Sequence, residues 1–260
     1  MCTLRDIEVG LTFIQSQLTH TMTLSFIEHL ETQLRESPPQ KRGLRTRERL
    51  KIAAARALEE KGYHGLRVAD VTAGAEVAEG SFYVYFTDKT DIALTVLTEL
   101  LEEFFKLDAK STADRSPFEA IRQTNRRWLA VCRANAGLMR CILQLGDEEP
   151  QLSRLSRRTN RIWYDRVARS LKRRRSNVGT GPALFAVYLL GGMMDELVRK
   201  LIVYPDPEFH ALLKEMEADD DAVADAASVL WLHIFHPEEE PPADLPRAAA
   251  ALAQWIVPHR

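Results

Sequence analysis

Apolar residues along this chain recur at three- and four-residue intervals in segment after segment, and no stretch shows sustained alternation with β-branched enrichment. Over 46–61, Leu50, Ala53, Ala54, Ala57 and Leu58 share one stripe, with Thr46 as the expected N-cap and Lys61-Gly62 as the stop. Val68, Val71, Thr72 and Ala75 mark a second, short helix, and Ala75-Glu76-Val77 turns the chain into a third at 78–84. Two short helices joined so tightly form a unit that can lay its second helix in a major groove. Asp88, with Asp91 three residues on, opens a long helix whose stripe is Ile92, Val96, Leu97, Leu100, Leu101, Phe104 and Phe105. Further helices are expected at 117–135, 137–145, 150–175, 182–203, 208–236 with a break near 218, and 244–257. Near the start, Ile27, Leu30 and Leu34 allow a short amphipathic helix before the breaker Ser37-Pro38-Pro39-Gln40. The pattern predicts an all-α fold.

Composition narrows the function classes. With 45% hydrophobic and 28% charged residues, the 260-residue chain has ample apolar surface to bury, which excludes disorder as its dominant state. At roughly 150 residues per domain its length suggests two units. Cys2, Cys132 and Cys141 form no C-x-x-C pair, so neither a disulfide framework nor a zinc ribbon is expected. His233 and His236 lack further ligands at metal-binding spacing and read as a helix-end pair. The apolar run Ala183–Met194 is interrupted by Gly191-Gly192 and ends at Asp195, short of the ~20 residues a spanning helix needs. It reads as a buried helix, with no membrane partner. Arg5 beside Asp6, without a cleavage site, argues against a secretory signal; Met22 is an alternative start, and a cytoplasmic protein is expected. No Gly-rich phosphate loop, G-x-S-x-G or H-E-x-x-H occurs, so neither an enzyme nor a cofactor is expected.

The net charge of -2 is a cancellation. Between Lys41 and Arg67, basic residues at 41, 42, 45, 47, 49, 51, 56, 61 and 67 face acidic ones only at 48, 59 and 60. From Arg122 to Arg175 the chain is again basic, and from Asp195 to Asp244 only Arg199, Lys200 and Lys214 interrupt an acidic block. A local basic patch, rather than the total, sets the potential that a nearby phosphate feels.

The run Arg49 to Leu97 carries Lys61-Gly62-Tyr63, Asp70-Val71, Gly80-Ser81-Phe82-Tyr83, Tyr85-Phe86, Asp88-Lys89 and Asp91-Ile92. It resembles the DNA-binding domain of TetR-family regulators over about fifty residues, the Gly-Ser-Phe-Tyr-x-Tyr-Phe-x-x-Lys string being the most specific part. The resemblance implies a helix-turn-helix head on a helical ligand-binding and dimerisation body, working as a homodimer on double-stranded palindromic operators. It divides the chain into an extension and linker at 1–40, in part disordered, a head at 41–87 and a body at 88–260. Recognition would fall on 78–84, with Gly80 and Ser81 near base edges or backbone. Tyr83, Tyr85, Lys89, Thr46, Arg45, Arg47 and Arg67 would serve DNA contact, and Phe82 and Phe86 the head core. Departures from the pattern are Glu76 for a turn Gly, Ala78 for a capping Ser or Thr, Arg67 for a Thr, and Glu79 for Lys. An Ala cap costs ~1 kcal/mol. Glu79 would repel phosphate unless it accepts from a cytosine amino group.

In the body, Trp128, Cys132, Trp163, Tyr164 and Tyr188 are candidate effector contacts, since aromatics combine apolar faces with a polar handle. Taken singly, each reads more readily as core, an aromatic or small apolar side chain at helical spacing. By analogy the dimer interface falls on 182–203 and 221–236, where Gly191-Gly192 would admit another backbone, from the partner or from the same subunit. Arg154, Arg157, Arg158, Arg161, Arg169 and Arg173 line one helix, as a solvated face, as partners for the acidic block, or as phosphate contacts for an anionic effector such as an acyl-CoA. The leading expectation is a ligand-responsive transcriptional regulator, a repressor released by a small apolar or anionic effector. The alternative is a helical small-molecule-binding or interaction protein with a degenerate head.

Overall fold

The computed structural model describes residues 24–106, 115–174 and 179–256. Helices account for about four fifths of them, and no strand occurs among the described residues. In chain order they are α1 (Phe26–Glu36), α2 (Arg42–Gly65), α3 (Val68–Gly74), α4 (Glu79–Phe82), α5 (Lys89–Lys106) and α6 (Pro117–Ala134). Then come α7 (Ala136–Glu148), α8 (Pro150–Arg174), α9 (Thr180–Val198), α10 (Pro207–Glu215), α11 (Asp220–Phe235) and α12 (Arg247–Ile256). A wide turn, Arg199–Val203, prolongs α9. The break expected near 218 lies between α10 and α11, where Glu217 adopts φ 53°.

The head forms where the stripes converge. Leu50, Ala54, Leu58, Phe82 and Ile92 are fully buried together, each large side chain contributing about 1.5–3 kcal/mol through burial. Gly74 lets α3 approach Ala53, since a Cβ there would lie 3.2 Å from the Ala53 methyl. Gly62, at φ 69° and ψ 175°, interrupts α2 where the sequence places a stop. The start differs from expectation. Nothing between Pro39 and Thr46 breaks a helix, so α2 begins at Arg42, and Thr46 lies inside it with its hydroxyl donating to the Arg42 carbonyl at 3.2 Å. Asp88 accepts from the Thr90 and Asp91 N–H groups while Asp91 accepts from Thr87 N–H, a reciprocal cap that starts α5.

Helix α1 is capped by Ser25 and buries Phe26 and Leu30. It packs on α2, where Arg56 reaches Glu31 at 2.7 Å. Asn135, at the α6–α7 junction, accepts from Phe26 N–H and donates to the Leu24 carbonyl, both at 2.8 Å. The first described residues thus tie head to body. Residues 1–23, where part of the expected extension falls, lie outside the described residues, as do Cys2 and the side chains of Phe105 and Arg173.

A second tie joins α2 to α7. The Glu59 carboxylate accepts from Gly137 N–H and Leu138 N–H, each at 2.9 Å, capping α7 from another helix. A Cβ on Gly137 would fall 2.0 Å from the Glu59 carbonyl oxygen, so this contact requires glycine.

Within the body α6 packs on α11, α8 on α9, and α11 on α12. Asp225 of α11 is fully buried and accepts from Arg122 at 2.8 Å and Arg126 at 2.6 Å. Arg126 also meets Asp221, Arg122 meets Asp244, and Arg133 meets Asp220. The acidic block is therefore partnered by the arginines of α6. On α8, Arg154, Arg157, Arg158, Arg161 and Arg169 are exposed, with Arg161 paired to Asp165 four residues on. They form a solvated face.

Helix α9 corrects the expectation of a buried apolar helix. Thr180–Val203 is long and apolar enough to cross a membrane, with 33% of its most apolar window buried. Its inner side holds Ala183, Val187, Leu190 and Met194, while Phe185, Tyr188 and Leu189 are exposed. The two glycines divide between these sides: a Cβ on Gly191 would meet the Tyr164 ring at 2.6 Å, whereas Gly192 faces open space.

Candidate nucleic-acid interface and ligand cavity

The helix-turn-helix is built on Phe82 and Phe86, whose burial holds the four-residue helix α4 and the following turn against α2. Ala78 offers no side chain to cap α4. This leaves Glu79, Gly80, Tyr83 and Val84 exposed on the outer edge, Val84 at 74%. Between that edge and the first turns of α2 runs an open cleft whose walls include Arg42, Arg45, Thr46, Ser81 and Tyr85. The structure thus brings Arg45, Thr46, Ser81 and Tyr85 together. It places Tyr83 just outside the cleft and Arg67 at the start of α3.

Two of the expected phosphate contacts rest on aromatic rings. The Arg47 guanidinium lies 5.0 Å from the Phe86 centroid, and the Lys89 ammonium 4.8 Å from that of Tyr63. Each ring fixes its cation at the surface. The Tyr63 hydroxyl is itself bonded to Thr90 at 2.9 Å.

The basic block of the sequence is only partly available. Lys51 is buried between Glu48 and Glu99, both at 2.6 Å, and Arg56 and Lys61 pair with Glu31 and Asp70. Arg42, Arg45 and Arg67 are exposed without an ion-pair partner among the described residues. Glu76 sits at φ 53° in the turn and accepts from Arg49 at 2.9 Å. This left-handed conformation is where glycine is usual and a side chain costs about 1 kcal/mol. Arg42 and Arg49 also line this cleft; the sequence counted both in the basic block without singling them out as DNA contacts, because a run of cations does not show which are already paired.

The body holds a partly open cavity of about 90 Å³ between α5, α6, α8 and α9. Phe104, Trp128, Trp163 and Tyr164 supply its aromatic walls. Phe104 stands edge-on to Trp128 at 5.8 Å, and Trp163 to Tyr164 at 5.5 Å. Trp128, Trp163 and Tyr164 thus meet in one space. Cys132 is fully buried and lies outside the lining, and burial pushes its thiol well above the usual range. Tyr188 packs its ring 4.5 Å from that of Tyr164 on the outer side.

The sequence reading missed Asp195, which also lines this cavity. Its side chain is open to the cavity space, yet surrounding protein pushes its carboxyl up to about 6, burial being the cause. It has no hydrogen-bond or ion-pair partner among the described residues. Its charge is felt by its neighbours: burial first, and Asp195 second, raise the Tyr164 hydroxyl to about 12. The available signal was an acid ending an apolar run, four residues after a glycine on the same helix face.

Residues 52–96 match the model of the family described as bacterial regulatory proteins, tetR family. The fatty acid metabolism regulator protein of Bacillus subtilis (strain 168) is 35% identical over 54 residues, which span 21% of this chain and 28% of that protein. The fatty acid degradation regulator FadR from Bacillus halodurans shares the fold at TM-score 0.54 and 17% identity, covering 74% of this chain and 96% of that one. The transcriptional regulator FadR from Bacillus subtilis, solved in complex with stearoyl-CoA, does so at 0.53 and 17%, covering 72% and 98%.

Proposed function

We propose, on the match of residues 52–96 to the model of the TetR family of bacterial regulatory proteins, that the chain is a ligand-responsive transcriptional regulator. It binds a palindromic operator as a homodimer, as a repressor, and a small effector in the body releases it. The observation that carries this reading is the junction of an exposed basic cleft in the head with an aromatic cavity in the body, linked through α5. Division near residue 87 into head and body follows, with 1–40 as extension and linker and a cytoplasmic location.

Two unpartnered apolar stripes support the dimer. On α9, Phe185, Leu189 and Gly192 share one exposed face; on α11, Ile234 is exposed with Leu230 half-buried beside it. Exposed apolar faces of this kind mark interaction surfaces, and on this reading a second copy covers them. Ligand binding would shift the two heads away from the ~34 Å spacing of successive major grooves. A second effector reading, an acyl-CoA, is favoured by the exposed Arg161 on α8, which meets Tyr188 beside the cavity, with Arg157 exposed one turn earlier.

Gel shifts on the gene's own upstream DNA test the head. Tyr83→Phe and Lys89→Ala should weaken binding on all sequences, and Lys89→Ala should also flatten the salt dependence by about one phosphate contact. Ser81→Ala should change sequence preference more than salt response. Three identical responses would overturn this division of roles.

Glu76→Gly should act the other way. It relieves the left-handed backbone and frees Arg49, so binding should tighten several-fold with a salt slope steeper by about one contact. Weaker binding would show that Glu76 orients Arg49 rather than neutralising it.

A further inference from the structure

Val84 is the most exposed large apolar side chain of the head, at 74%, in a turn whose neighbours Phe82 and Phe86 are buried. The N–H groups of Tyr85 and Phe86 both donate to the Phe82 carbonyl, at 2.9 and 3.1 Å. The turn after α4 therefore keeps helical spacing, and Val84 falls one turn beyond Ser81 on the same side. Both line the cleft that α4 and its turn form with the start of α2. The two walls of this cleft differ in chemistry. The α2 wall presents Arg42 and Arg45, exposed and without ion-pair partners among the described residues, while the opposite lip is aliphatic, with Val77, Ala78 and Val84. A protein partner covering the lip with apolar surface would also take the two arginines out of water unanswered. A DNA strand answers both walls at once. Its phosphates suit the arginines, and the thymine C5-methyl is the apolar group that a base edge presents in the major groove.

We propose that Val84 reads a thymine through that methyl group, as a specificity-determining residue beside Ser81. Its β-branched side chain has few χ1 states, so its two methyl groups are held in place at little ordering cost. Val84 brings neither charge nor hydrogen-bonding group, so it acts on sequence preference and not on the electrostatic part of binding. The proposal rests on the regulator reading and names one feature of the operator: a thymine at the same place in each half-site.

The test starts from duplexes that the full-length protein selects out of a random-sequence pool. Each thymine of a selected duplex is replaced in turn by deoxyuridine, in both half-sites together, and binding is followed by fluorescence anisotropy. Deoxyuridine keeps the pairing edge and removes only the methyl group. At one thymine position the replacement should weaken wild-type binding about fifteenfold, from roughly fourfold for each buried methyl, and Val84→Ala should reduce that effect to less than about twofold. Val84→Ala should leave the salt slope unchanged, whereas Arg45→Ala should lower it by about one contact per head. Val84 is exposed, so the alanine variant should unfold in urea as the wild type does. Wild-type binding that ignores the methyl at every thymine overturns the proposal. A methyl effect of equal size in wild type and Val84→Ala overturns it too, because another residue then makes the contact. In both cases the selected DNA is still bound, and the regulator reading stands. Failure to enrich any sequence from the pool overturns the regulator reading and the proposal with it.

Discussion

Asp225→Ala should lower the unfolding free energy by about 3–5 kcal/mol, the range for removing one partner from a buried ion pair. The Asp225 side chain has no exposed surface, and Arg122 is only 12% exposed. Arg122 places Nε within 3.1 Å of both carboxylate oxygens, and Arg126 forms a two-pronged contact at 2.6 and 2.7 Å. Deleting the carboxylate leaves two guanidinium groups facing one another at the α6–α11 contact, next to the buried Asn125–Ser228 hydrogen bond. Urea unfolding at fixed protein concentration measures the loss. Asp221 and Asp244 are more exposed partners of the same arginines, and alanine at either should cost no more than about 1 kcal/mol. A loss below about 1 kcal/mol for Asp225→Ala would show that solvent reaches the network.

Gly137→Val should be the most damaging change at the head–body contact. Even a Cβ would sit 2.0 Å from the Glu59 carbonyl oxygen and 2.7 Å from its Cα, so backbone must move against backbone. Overpacking of this kind costs about 1–3 kcal/mol, and parting the helices also breaks the Glu59 cap on α7, worth about 1 kcal/mol. We expect a total near 2–4 kcal/mol in chemical unfolding, together with weakened operator binding, because α2 carries the head. Gly192→Val meets nothing within 4 Å in one protomer and serves as the control for monomer stability. Equal unfolding energies for Gly137→Val and wild type would show that the α2–α7 contact gives way without cost.

Local order proved readable from residue spacing, and long-range pairing did not. Leu50 to Leu58 and Ile92 to Leu101 repeat at helical intervals, and each helix buries that same stripe, so α2 and α5 follow from period alone. Gly62 and the Asp88–Asp91 cap act within a few residues, and they are visible for that reason. The start of α2 was placed a turn late because Thr46 is a good cap residue, but nothing upstream obliges the chain to stop before Arg42. Arg122 and Asp225 are 103 residues apart in the chain, so the sequence shows one only as part of a basic block and the other as part of an acidic one, and their pairing is a property of the fold. The same limit explains the cavity. Trp128, Trp163 and Tyr164 were candidates by residue type, as were Cys132 and Tyr188, and only three-dimensional packing separates the three that line the space. Asp195 drew attention only as the end of an apolar run, because its missing partner is a property of the fold.

The DNA-binding claim is tested most directly by fluorescence anisotropy of labelled upstream DNA titrated with the wild-type protein at several salt concentrations. A regulator with this basic cleft should bind with log affinity falling linearly against log salt, each neutralised phosphate contributing a slope of about −0.9. An unrelated duplex of equal length should bind more weakly at every salt concentration. Absence of binding at low salt, or equal affinity for both duplexes throughout, would contradict the account.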